Sequence, residues 1–225
     1  MIQTYYAAYF SAHAILRFFG KSFTHLEIGH VQFLRGRCAS EVGYTPRLPS
    51  SYYLIELATD SRTLSFNQCN ESHKDLWKCF QALLQSISTE TLRLRASEIR
   101  RQAVSKKFSD LVDALSARGR HPAGNWLSLM RNDVNYKSLH GVWFPFNKST
   151  PVFDDLMKYV KGWRDCSTDF GDPNTIKNDR ERFFVTAFIV IDLGLSIAQD
   201  YRDIAAKAGR RSSEFIRLIN LSAAA

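Results

Sequence analysis

The chain has 225 residues, 45% hydrophobic and 13% aromatic, which is ample for a packed core in one substantial domain or two small ones and argues against a disordered chain. Its 30 basic and 22 acidic side chains leave a formal charge of +8. That balance favours polyanionic partners such as RNA, DNA or an acidic protein.

Residues 4 to 19 place apolar groups almost all round a helical cylinder, with Tyr5, Tyr9, Ala12 and Leu16 on one stripe and Tyr6, Phe10, His13 and Phe18 beside it. This pattern predicts a central helix with Gly20 as its C-cap. A second helical piece is expected from about 22 to 36, weakened by Gly29 and Gly36. Pro46 and Pro49 then precede an extended run, Tyr52 to Leu57, a polar turn, Thr59 to Arg62, and a second run, Thr63 to Phe66. These read as a small β-hairpin or irregular insertion near 50–67, inside an insertion of about 38–70.

Ser72, with Asp75 three residues later, resembles a capping box ahead of Leu76, Trp77, Phe80, Leu83, Leu84 and Ile87 at helical spacing. A long basic helix is expected from Thr89 to Ala117, ended by the loop Gly119 to Gly124. A short helical turn, Trp126 to Met130, leads into Arg131-Asn132-Asp133-Val134-Asn135-Tyr136. Beyond an aromatic connector, Trp143 to Phe146, a helix over about 150–165 begins with Thr150 as cap and Pro151 inside it. A final helix is expected over 177–207, with a short one after Gly209. No repeat or long linker interrupts the chain, so residues 1–225 read as one all-α helical bundle with an insertion.

Cys38, Cys69, Cys79 and Cys166 form no CxxC pair and have no zinc-type spacing, so reduced thiols in a cytoplasmic protein are expected, with no metal and no cofactor. The first residues lack the order of a secretory signal. The longest apolar run, Phe183 to Ala198, carries Asp192 and is too short for a comfortable membrane span, so it reads as a buried core helix. An isolated buried carboxylate is costly, and Arg131 or His13 is the expected partner of Asp192.

An arginine, two amides and an acid within six residues form the polar corner that most suggests chemistry. A guanidinium is permanently charged and can grip a phosphate with two parallel hydrogen bonds. On a helix Asn135 would share a face with Arg131, whereas Tyr136 would lie about 140° away. A purely structural arginine, paired with Asp133 or capping a neighbour, is the commoner outcome for such a residue. Similarly, His13 reads first as a core histidine. Arg100, Arg101, Lys106, Lys107, Arg118, Arg120 and His121 line up as an electrostatic path for an RNA backbone, or as a solvated helix face. P-loop, dinucleotide-glycine, HExxH and GxSxG signatures do not occur.

The opening Tyr5 to Leu16 together with the Arg131 stretch resembles the HEPN superfamily, helical domains whose polar motif sets a histidine a few residues after an arginine. Tyr136 stands at the usual histidine position, and the next histidine is His140. The resemblance implies a homodimeric, metal-independent endoribonuclease of a toxin-antitoxin or phage-defence system, with RNA as substrate and an antitoxin or defence-complex protein as partner. It implies that Arg131 steadies charge on the scissile phosphate, with Asn132 and Tyr136 at the motif positions beside it. Asn135 joins them by sharing the Arg131 face, and His140 serves as proton carrier if the chain leaves the helix after Tyr136 and is otherwise a loop histidine. A phenol titrates at about pH 10 and is a poor base at neutral pH, so a non-catalytic HEPN-like module that binds RNA or a protein is the alternative.

Overall fold

A computed structural model of the protein describes residues 1–58, 63–137 and 172–207. The first helix, α1, spans Ile2–Phe18 and buries Tyr5, Ala8, Ala12, Ile15 and Leu16. It stops where Gly20 takes a left-handed φ of 70°, a conformation that breaks the helical ladder and costs glycine nothing.

The next segment departs from expectation. Lys21–Leu26 is a strand, β1, and the helix that follows it, α2, runs over Ile28–Val42, so the helix expected from about 22 to 36 begins later and ends later. The cause is tertiary. The hairpin expected near 50–67 does form, as β2 (Ser51–Leu57) and β3 (Leu64–Cys69), and β1 adds to the open edge of β2 in antiparallel register, with Thr24 opposite Tyr53 and Lys21 opposite Glu56. Pairing satisfies backbone groups that an edge strand leaves exposed, and buries Phe23. Lys21 and Glu56 form an ion pair across the two strands. The described residues are therefore mostly helical, and the small hairpin expected beside the helices is extended by β1 to a three-stranded antiparallel sheet in the order β1-β2-β3.

The sheet carries a small core of its own, Leu26, Val31 and Tyr53, while Phe23 joins the main core. Phe23 also stacks on Tyr52, with ring centroids 6.0 Å apart and planes within 12°. Helix α3, Ser72–Thr91, begins after Glu71 as N-cap, so Ser72 lies inside the helix and does not cap it. The acidic half of the expected box does operate, since Asp75 accepts from the amides of Asn70 at 2.7 Å and Glu71 at 2.8 Å.

The single basic helix expected over 89–117 is divided. Chain between Thr91 and Glu98 reverses direction, and α4 (Glu98–Leu115) folds back along α3. Ser88 and Ser105 join the two helices at 2.9 Å, and Arg101 donates to the Leu92 carbonyl at 2.8 Å, satisfying an acceptor at the end of α3. Folding back buries Leu111, Val112 and Leu115 in the main core, which a straight helix would carry away from it.

A loop with Ala117, Arg118 and Gly119 all at positive φ leads to α5, Trp126–Lys137. The last helix, α6, spans Asp179–Lys207, close to the expected 177–207, behind a 3-10 turn at Pro173–Thr175. Phe183, Val185, Ala187 and Val190 are fully buried in α6, which packs along α1. Gly194 permits that approach, because a Cβ there would lie 3.2 Å from the Ser11 Cβ. By length and composition α6 could cross a membrane, but its apolar stretch is mostly buried inside the domain. Cys38, Cys69 and Cys79 are free thiols. The aromatic connector at 143–146, the helix expected over 150–165, the tail after Gly209, His140 and Cys166 lie outside the described residues.

Candidate functional site

Three helices meet around Arg131. Helix α5 presents it from its second turn, α1 brings Tyr5 and Tyr6 from its first turn, and α3 brings His73 from its first turn. Arg131 as a whole is 9% exposed, and its guanidinium has no carboxylate partner among the described residues. One terminal nitrogen donates to the Asn132 side-chain oxygen at 2.7 Å. The other donates to the Tyr6 hydroxyl at 2.5 Å and lies 3.5 Å from Nε2 of His73. Its carbon sits 5.6 Å and 5.4 Å from the ring centroids of Tyr5 and Tyr6, so aromatic faces supply part of the compensation an acid would give. Burial opposes the charge, but the Tyr6 hydrogen bond and the surrounding phenols outweigh it and hold the Arg131 pKa above its usual value.

His73 is fixed from behind. Its Nδ1 lies 2.8 Å from the Tyr5 hydroxyl, which also accepts from the indole N–H of Trp77 at 3.2 Å and hydrogen bonds with Ser128. A guanidinium can only donate, so the nearby Nε2 is best satisfied as an acceptor. That assigns the ring proton to Nδ1, with Nδ1–H donating to the Tyr5 oxygen and the phenol hydrogen turned toward Ser128. Burial, and then the positive charge of Arg131, lower the His73 pKa. The N-terminal end of α3 acts in the same direction. The outcome is a neutral imidazole at pH 7 with its lone pair facing the cation, the state a general base requires.

The residues expected at this site fare differently. Arg131 and Asn132 are joined by a hydrogen bond. Asn135 makes no bond to Arg131 and is half-buried one turn further along α5. Tyr136 is 76% exposed and makes no hydrogen bond to Arg131. Tyr6 and His73 were not singled out as site residues by the motif. Position 73 held the available clue, because a helix beginning at Ser72 places His73 one turn before the buried Trp77.

Asp192 bonds to neither Arg131 nor His13, contrary to expectation, and burial raises its pKa. His13 packs edge-on to Tyr9 at 4.8 Å and against Phe23 at 6.0 Å, and its buried Nδ1 has no partner. Much of the expected basic path is committed to the fold. Arg101 caps α3, Lys106 pairs with Asp110 at 2.6 Å, and Arg118 donates to the carbonyls of Asn174 and Ile176. Arg120 donates to the Ala117 carbonyl and approaches Asp179 at 3.7 Å, and His121 is half-buried. Arg100 and Lys107 are exposed. Among the described residues no three His, Cys, Asp or Glu side chains are grouped to hold a metal ion.

No known protein family, curated protein or solved structure matches the chain.

Proposed function

We propose that the chain is a HEPN-like helical protein that targets RNA and cuts it without a metal ion, with Arg131 and His73 as the working pair. The observation that carries this reading is the 3.5 Å approach of a neutral, back-supported imidazole to a guanidinium that no described carboxylate neutralises. Such a cation attracts a phosphodiester, and such a base suits the adjacent ribose. His73 Nε2 takes the proton of the 2′-hydroxyl, whose oxygen bonds to phosphorus as the bond from phosphorus to the 5′-oxygen breaks. Arg131 steadies the charge gathering on the phosphoryl oxygens. The Tyr6 hydroxyl, whose oxygen accepts from Arg131, still has its own hydrogen to give to the departing 5′-oxygen. The products are a 2′,3′-cyclic phosphate and a 5′-hydroxyl. His73 thus takes the role that the resemblance assigns to position 136 or to His140.

A non-catalytic binding module is the second reading, favoured by the near-complete burial of Arg131 and by hydrogen bonds it already makes to Tyr6 and Asn132. A cytoplasmic homodimer working with an antitoxin or defence-complex protein is the setting the resemblance implies for either reading.

The test is incubation of purified protein with single-stranded RNA in EDTA, with product ends analysed by mass spectrometry. Wild type and Tyr136→Phe are expected to yield cyclic phosphate ends. His73→Gln is expected to slow cleavage by about 10²–10⁴-fold, the usual worth of a general base, while Arg131→Lys loses the planar two-point grip. Uncut RNA with Arg131-dependent binding would establish the module instead. Cleavage indifferent to His73 would remove it from the mechanism.

A further inference from the structure

Phe10 lies on α1 one turn beyond Tyr6 and is 64% exposed. Its ring is held in place, with centroids 6.4 Å from Tyr6 at an interplanar angle of 30° and 5.7 Å from Tyr9 in an edge-on contact. Single exposed apolar residues are common and need no explanation. What distinguishes this one is its company. Tyr6 links it directly to the Arg131 guanidinium, the small exposed Ala7 leaves its flank clear, and the exposed Arg17 lies further along the same stripe of the helix. One helical turn, about 6 Å, separates Tyr6 from Phe10, and two turns, about 10 Å, separate Phe10 from Arg17.

Along this stripe the order is cation, aromatic ring, cation. Extended single-stranded nucleic acid presents the matching order of phosphate, base, phosphate, and unstacked bases pack on aromatic faces without regard to their identity. A double helix keeps its bases stacked on one another and offers no free face to Phe10.

From this we infer that Phe10 is the stacking platform for an unpaired nucleobase of single-stranded RNA, whose flanking phosphates meet Arg131 on one side and Arg17 on the other. The inference rests on the reading that Arg131 receives a phosphate, and it adds strand selectivity and the placement of the nucleotide next to the reacting one. Arg17 donates to the His13 carbonyl at 3.3 Å through one nitrogen, leaving the rest of its fork for the anion. No base-edge recognition is involved, so little preference among the four bases is expected.

The test uses the full chain and a fluorescein-labelled oligoribonucleotide with 2′-O-methyl groups, which cannot be cleaved, alongside the same strand carrying abasic positions and a duplex of the same length. Phe10→Ala is expected to weaken binding of the base-bearing strand by about tenfold, within the range for one stacked base, and to leave the abasic strand unaffected. Phe10→Trp should restore the affinity. Arg17→Ala should weaken both strands and reduce the salt dependence by about one phosphate contact. The wild-type protein should bind the duplex more weakly than the single strand. Equal affinities of wild type and Phe10→Ala for the base-bearing strand would overturn the platform while leaving an Arg131-dependent phosphate site standing. Binding unaffected by Arg131→Lys, or no binding of any strand, would overturn both.

Discussion

Protonation of His13 lowers the stability of this fold in acid. The side chain is half-buried between Tyr9 and Phe23, its Nδ1 has no partner, and burial followed by the charges of Arg17 and His73 lowers its pKa from 6.5 to about 4. The unfolded chain therefore binds this proton between about pH 6.5 and pH 4 while the folded chain does not, so stability is full above the unfolded pKa and falls as pH drops toward the folded one. A difference of about 2.5 pH units at about 1.4 kcal/mol each gives a ceiling of about 3.5 kcal/mol. Partial access to solvent reduces this to about 1–2 kcal/mol. His13→Leu removes the titrating group and no satisfied hydrogen bond of its ring. Urea unfolding at pH 7 and pH 4.5 measures the effect for both proteins. Wild type is expected to lose about 1–2 kcal/mol more than the variant on acidification. Equal losses would refute the reasoning, because every other titrating group is common to the two proteins.

Three further substitutions examine the supports of the site. Tyr5→Phe leaves the Trp77 indole N–H and the His73 Nδ1 without their shared partner, and thermal unfolding should register a loss of about 1–3 kcal/mol; an unchanged Tm would mean that these groups find other partners. Gly124→Ala combines a φ of 64° with a Cβ 2.9 Å from the Gln81 side chain, just ahead of α5. A loss of at least about 1 kcal/mol is expected by chemical denaturation, and a stabilised variant would contradict the close packing of that turn. Arg182 is 2% exposed, bonds Asp179 at 2.6 Å and lies 4.5 Å from the Trp126 ring centroid. Arg182→Ala should cost about 3 kcal/mol or more in urea unfolding, by removing buried packing against Trp126 and leaving Asp179 only its longer contact to Arg120, and a loss under about 1 kcal/mol would deny that role.

The elements readable from the sequence were those with a strong local cause. Helix α1 followed from its apolar stripes and Gly20, the hairpin from two extended runs around a polar turn, and α6 from its long apolar periodicity. Arg131 and Asn132 stand out in the sequence because charged and amide groups rarely crowd the end of an apolar run. Tertiary structure decided the rest. Whether Lys21–Leu26 is strand or helix depends on the unfilled edge of β2, more than 20 residues away, and whether α3 and α4 are one helix or two depends on a core that exists only after the chain reverses. The partners of Arg131 illustrate the same limit. Tyr6 is 125 residues distant in the chain and His73 is 58 residues distant, so no spacing rule within one segment reveals them. Local sequence specifies which backbone conformations are cheap, but hydrogen-bond partners and burial are fixed by contacts between segments, and those contacts set the charge state of the imidazole.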